Sequence, residues 1–153
     1  MNNFKYLALI ILLISCAEKN KNSEPGKIKL PGNDTIPVTR KNVNKKPVAA
    51  YVIQMGDPKL DRKFGVEVYE TPETFKYLLM MYHDGTIQKD TLTIPNFGIW
   101  PTVKIRPGNE KLSCIIGFLD RKNEFLEYKL LSAKDDKLSL TILKRYGVAT
   151  YYR

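Results

Sequence analysis

A chain of 153 residues is enough for one domain of ordinary size and no more, once any targeting segment is set aside. It carries 25 Lys plus Arg against 16 Asp plus Glu, a net charge of +9, with one histidine and two cysteines. These counts exclude a disulfide-dense scaffold and leave any histidine-dependent catalysis resting on His83 alone.

In chain order, residues 1–5 form a short polar stretch with one cation, Lys5, and residues 6–14 are apolar without charge or proline. A nine-residue run matches the apolar region of a signal peptide, about 7–15 residues. It is too short to cross a bilayer, which takes about 20 residues. The residues that follow, Leu13-Ile14-Ser15-Cys16, resemble the lipobox of bacterial lipoproteins, with Ile14 bulkier than the usual residue there. The resemblance implies cleavage after Ser15, a diacylglycerol on the Cys16 thiol and a palmitate-type acyl group on the new amine. Such chains make a stable anchor, since each buried methylene contributes about 0.8 kcal/mol and one chain alone holds only marginally. The resemblance further implies an envelope location. Ala17 stands where an aspartate would retain the protein in the inner membrane, which points to the outer one, and Glu18-Lys19 resembles the charged export signal of Bacteroidetes-type surface lipoproteins.

Residues 16–47 then read as a lipidated cysteine followed by a flexible basic linker. Lys, Asn and Pro dominate residues 17–47, and too little apolar surface is available to offset the entropy of ordering. This stretch holds eight cations and three acids (+5), leaving residues 48–153 with 16 and 13 (+3), so the basic character is assigned to the tether. A nucleic-acid partner, which calls for a concentrated basic patch on the domain, is not expected.

From residue 48 onward the pattern is strand-like, and no helical stripe persists over three turns. Strands are expected at residues 49–54 and 64–69, the latter with Phe64, Val66 and Val68 on one face and Glu67 on the other. Residues 74–82 and 86–94 form the arms of a hairpin turning at His83-Asp84-Gly85. The first arm is apolar on both faces, which predicts a central strand covered on two sides. Further strands are expected at 102–106, 111–119, 125–132, 138–144 and 148–152. In the segment 138–144, Leu138, Leu140 and Ile142 alternate as in a half-buried strand. The reading is an all-β fold over 48–153, a single antiparallel β-sandwich, with a small meander barrel as the alternative. It is preferred because the loop 95–101 interrupts simple closure. The domain also has a general likeness to small Bacteroidetes-type lipoproteins.

The chain contains no Gly-rich phosphate loop, no Gly-x-Ser-x-Gly elbow and no His-Glu-x-x-His pair. His83 is expected to sit exposed at its turn. Cys114 alternates with Leu112, Ile116 and Phe118 and is expected in the core. The acids Asp57, Asp61, Asp120, Glu124, Asp135 and Asp136 fall in turns without a calcium-loop pattern, so no catalytic residue, metal site or cofactor is assigned. Aromatics supply the candidate contact surface: Phe97 and Trp100 in the loop 96–101, and Tyr151 and Tyr152 near the C-terminus. The expected role is a membrane-anchored, non-enzymatic binding domain with an envelope protein or polysaccharide partner. The alternatives are a small barrel carrying an apolar ligand and an envelope hydrolase using turn carboxylates.

Overall fold

The computed structural model describes residues 36–135 and 137–147. The signal segment, Cys16, Tyr151, Tyr152 and the strand expected at 148–152 lie outside them. Eight strands form: β1 (Ala49–Gln54), β2 (Lys63–Glu70), β3 (Lys76–His83), β4 (Thr86–Thr93), β5 (Val103–Pro107), β6 (Ser113–Leu119), β7 (Phe125–Lys134) and β8 (Lys137–Ile142). They make two four-stranded antiparallel sheets, β1-β2-β3-β4 and β5-β6-β7-β8, each a meander in sequence order. Among the described residues no ladder joins the sheets, so the fold is the sandwich and not the barrel.

The alternation legible in the sequence becomes the core. Phe64, Val66 and Val68 of β2 and Tyr77, Leu79 and Met81 of β3 point inward against Cys114, Ile116 and Phe118 of β6 and Leu131 of β7. Burying each such side chain stabilises the fold by about 1.5–3 kcal/mol. Cys114 takes the core position expected of it, and burial pushes its thiol up to about 12.

Two local devices set the registers. The β3–β4 hairpin closes through Asp84 (φ 48°) and Gly85 (φ 76°), the paired positive φ values that favour Asp-Gly in a two-residue turn. Between β6 and β7 the register slips at Ile116/Gly117, leaving Tyr128 as an unpaired extra residue. This bulge turns Tyr128 toward Phe118, edge-on at 5.8 Å. It also brings Lys129 to the same side as Ile116, where its ammonium meets Asp90 of β4 at 3.8 Å and links an inner strand of one sheet to an edge strand of the other. Gly65 is required by proximity: a Cβ there would lie 2.0 Å from the Tyr51 carbonyl oxygen of β1.

Three expectations are corrected. His83 is 7% exposed, not a surface turn residue. The turn contains only Asp84 and Gly85, so His83 is the last residue of β3, opposite Phe64 and on the same face as Met81. Second, β3 is central in its sheet but covered on one side only. Leu78, Met80 and Tyr82 face outward and are half-buried by neighbours in their own sheet, with no further layer among the described residues. Third, residues 36–47 are not free linker. They lie as a strap along the β2–β3 connection, with Ile36 buried and Thr39 bridged to Glu73. Composition misses this because one apolar side chain and a row of backbone hydrogen bonds hold the strap, not an apolar run.

Candidate functional site

Two segments meet at one end of the sandwich, the strap 36–47 and the loop 94–102 that links the sheets. The strap is fixed by its backbone: Thr74 N–H donates to the Val38 carbonyl at 2.8 Å, Arg40 N–H to the Pro72 carbonyl at 2.8 Å, and the buried Thr74 hydroxyl to the Pro37 carbonyl at 2.5 Å. Arg40 completes the attachment. Its guanidinium donates to the carbonyls of Thr71 (3.2 Å) and Thr74 (2.6 Å), pairs with Glu70 at 3.3 Å, and lies 4.9 Å from the centre of the Tyr77 ring. Only 6% of the Arg40 side chain and 20% of that of Glu70 remain exposed. The second oxygen of Glu70 accepts from Asn44 N–H at 2.8 Å, so the carboxylate is held from both sides.

The loop is anchored as firmly. Phe97 packs on the core, stacked on Phe118 with ring centres 5.7 Å apart. Arg121 donates to the Phe97 carbonyl at 2.7 and 3.2 Å. Gly98, at φ 71°, makes the reversal that few other residues adopt, and its N–H donates to the Asn96 side chain at 2.9 Å. Tyr77 donates its hydroxyl to the Pro101 carbonyl at 3.0 Å. Burial pushes the Tyr77 phenol up, an effect the Arg40 guanidinium partly offsets.

Between these fixed points Trp100 stands 55% exposed. With Pro37, Arg40, Lys41, Asn42 and Glu70 it lines an open groove of about 490 Å³, within the range of about 300–1,000 Å³ usual for ligand clefts. The two loop aromatics expected to act together are therefore divided. Phe97 is a structural plug and Trp100 the exposed ring. Tyr146, near the end of β8, is rim packing, edge-on to Phe118 at 5.3 Å. The strap's share of the groove was not anticipated, and the only sequence signal for it was Arg40 and Lys41 following Ile36 and Pro37 without an intervening acid.

A second surface was legible only as the unexplained outer half of β3. Glu67, in the middle of the outer face of β2, accepts hydrogen bonds from Tyr69 (2.7 Å) and Tyr82 (2.6 Å) on one carboxylate oxygen. Burial, followed by this bond, pushes the Tyr82 phenol well above its usual range, and the bond to Glu67 raises that of Tyr69. Four other carboxylates are paired around the rims: Asp84 with Arg62, Asp61 with Lys63 (2.6 Å), Glu73 with Lys76 (3.0 Å) and Glu127 with Lys144 (3.5 Å). Asp120 accepts the N–H groups of Lys122 and Glu124 in its own turn, each at 2.8 Å. Among the described residues no group of three or more His, Cys, Asp or Glu is placed to hold a metal ion. No helix of the described residues is long and apolar enough to cross a membrane. No family model, no curated protein and no solved structure matches the chain.

Proposed function

We propose that the chain is an envelope lipoprotein whose β-sandwich is a non-enzymatic binding module, anchored through lipid on Cys16 in the outer membrane. The lipobox-like Leu13-Ile14-Ser15-Cys16 supports the anchor. One observation carries the binding reading. An exposed indole, Trp100, sits in a groove whose two walls are both pinned to the core, by Arg40 on one side and by Phe97, Arg121 and Tyr77 on the other. A surface held this rigidly loses little entropy when it binds, which favours recognition. The engagement of Asp61 with Lys63 and of Asp120 with the N–H groups of its own turn favours this over hydrolysis by turn carboxylates, and the tightly packed inward faces of β2, β3 and β6 favour it over a ligand-carrying interior.

Two experiments test the halves separately. Replacing Cys16→Ala should move the protein from the membrane to the soluble fraction, and mass spectrometry of the wild type should find an acylated Cys16 terminus. Unchanged fractionation would sink the anchor. For the binding module, a photo-crosslinking residue at position 99 in intact envelopes should give an adduct that Trp100→Ala abolishes. Adducts indifferent to that substitution would remove the groove from consideration.

A further inference from the structure

We infer that the Trp100 groove takes an acidic saccharide, a carboxylate-bearing glycan segment stacked on the indole with its acid beside Lys41. The inference rests on the groove being the contact site and names what occupies it. Its first support is charge. Four of the cations that composition assigned to a free tether, Arg40, Lys41, Lys45 and Lys46, lie on the docked strap, and residues 36–47 contain no acid. Docking the strap therefore raises the charge of the folded unit from +3 to +7, counting residues 36–153, and places two of the four added cations, Arg40 and Lys41, in the lining of the groove. The one acid in the groove, Glu70, is already paired with Arg40 and bonded by Asn44. Lys41 lines the groove, is exposed, and has no ion-pair partner among the described residues. What remains is one uncompensated cation inside the groove and two more, Lys45 and Lys46, further along the strap.

The second support is the shape and chemistry of the lining. The opposite wall, residues 94–102, carries no charge and presents the indole. An exposed indole offers a flat apolar face to the C–H face of a pyranose ring while its N–H remains a donor. Asn42 adds an amide that both donates and accepts, as a pair of sugar hydroxyls requires. A neutral sugar would leave Lys41 unused, and an apolar peptide would bury it without a partner, at a cost. A flat bilayer fits the charge as well as a glycan does, but it does not fill a concave cleft between two walls.

Trp100 is the single tryptophan, so its emission reports on this groove alone. The test uses the complete chain after Ser15 carrying Cys16→Ser, so that no acyl group contributes. Alginate is the acidic glycan, dextran the neutral one, and phosphatidylglycerol vesicles the anionic bilayer. Alginate should shift the emission saturably, and Lys41→Glu or 0.5 M salt should weaken the effect by about tenfold or more, the loss expected for a charge-assisted contact. In an alginate affinity gel, Trp100→Ala should migrate unretarded with an unchanged circular dichroism spectrum. An equal response to dextran would overturn the requirement for an acid. A shift with vesicles but not alginate would overturn the saccharide and leave the groove as the contact site, with a bilayer in it. Alginate retention unaffected by Trp100→Ala would overturn the groove itself.

Discussion

Tyr77 donates its hydroxyl to the carbonyl of Pro101 at 3.0 Å, from a ring whose face is covered by the Arg40 guanidinium 4.9 Å away. One buried side chain of β3 thus ties together the two surface segments that frame Trp100. The core and the groove are mechanically the same object at this point.

Tyr77→Phe removes the bond to Pro101 and keeps the ring. A single neutral hydrogen bond contributes about 0.5–1.5 kcal/mol, so the urea midpoint should fall modestly. The more telling change should be local. With one anchor of the loop gone, acrylamide should quench Trp100 more readily in the native state. An unaltered quenching constant would mean that Phe97 and Arg121 hold the loop without Tyr77.

Arg40 is expected to be intolerant of lysine as well as alanine. A lysine ammonium cannot reach Thr71, Thr74 and Glu70 together or lie flat on the Tyr77 ring. Arg40→Ala should cost about 3 kcal/mol, the lower end for removing one partner of a largely buried pair, because Asn44 still bonds Glu70. The double variant Arg40→Ala/Glu70→Gln should be less destabilised than the sum of its parts, measured by urea denaturation. Strict additivity would mean the pair is not coupled.

Stability should decline at alkaline pH. Cys114 titrates from an ordinary 9.0 when unfolded to about 12 when folded, and Tyr82 and Tyr77 are likewise raised above 10.0. Groups raised on folding hold their proton in the native state, so the unfolded chain binds fewer protons at high pH and its relative stability grows. The contribution is complete below pH 9 and is lost as pH rises toward the folded-state values. Denaturation midpoints should therefore fall from about pH 9 upward, less steeply in Cys114→Ala and Tyr82→Phe. A thiol reagent at pH 8 should modify Cys114 only after unfolding, because burial withholds both access and thiolate. Rapid native labelling would contradict the core assignment.

Gly65→Ala places a methyl group 2.0 Å from the Tyr51 carbonyl oxygen and 2.7 Å from the Val52 Cα. Both are backbone atoms of β1, so relief requires the strand to move. The substitution should cost about 3 kcal/mol, at the upper end for overpacking. Faster amide exchange across Ala49–Gln54 should accompany the lower urea midpoint. Wild-type exchange in β1 would show that the clash is absorbed elsewhere.

Much of the sandwich was legible residue by residue. Phe64, Val66 and Val68 alternate because a strand sends every second side chain to one face, and Asp84-Gly85 marks a turn because both residues accept positive φ. These are local rules, and the structure agrees with them at β1, β2, the hairpin and Cys114. His83 failed because the turn's length, not its composition, decided which residue was last in the strand. The outer half of β3 failed because apolar residues on both faces do not say whether a second layer covers them.

The groove shows the same division. By itself the amino-acid order determined the all-β class, the approximate positions of the strands among the described residues, the core cysteine and an aromatic loop containing Trp100, since each follows from periodicity or turn chemistry within a few residues. Only the tertiary structure decided that Phe97 turns in while Trp100 turns out, and that the basic stretch at Arg40 and Lys41 packs onto the domain. Both depend on partners 24 to 34 positions away, such as Arg121 for Phe97 and Thr74 for Arg40. Contacts at that separation form only after the sheets have brought distant backbone carbonyls within reach of a guanidinium, and no local pattern records them.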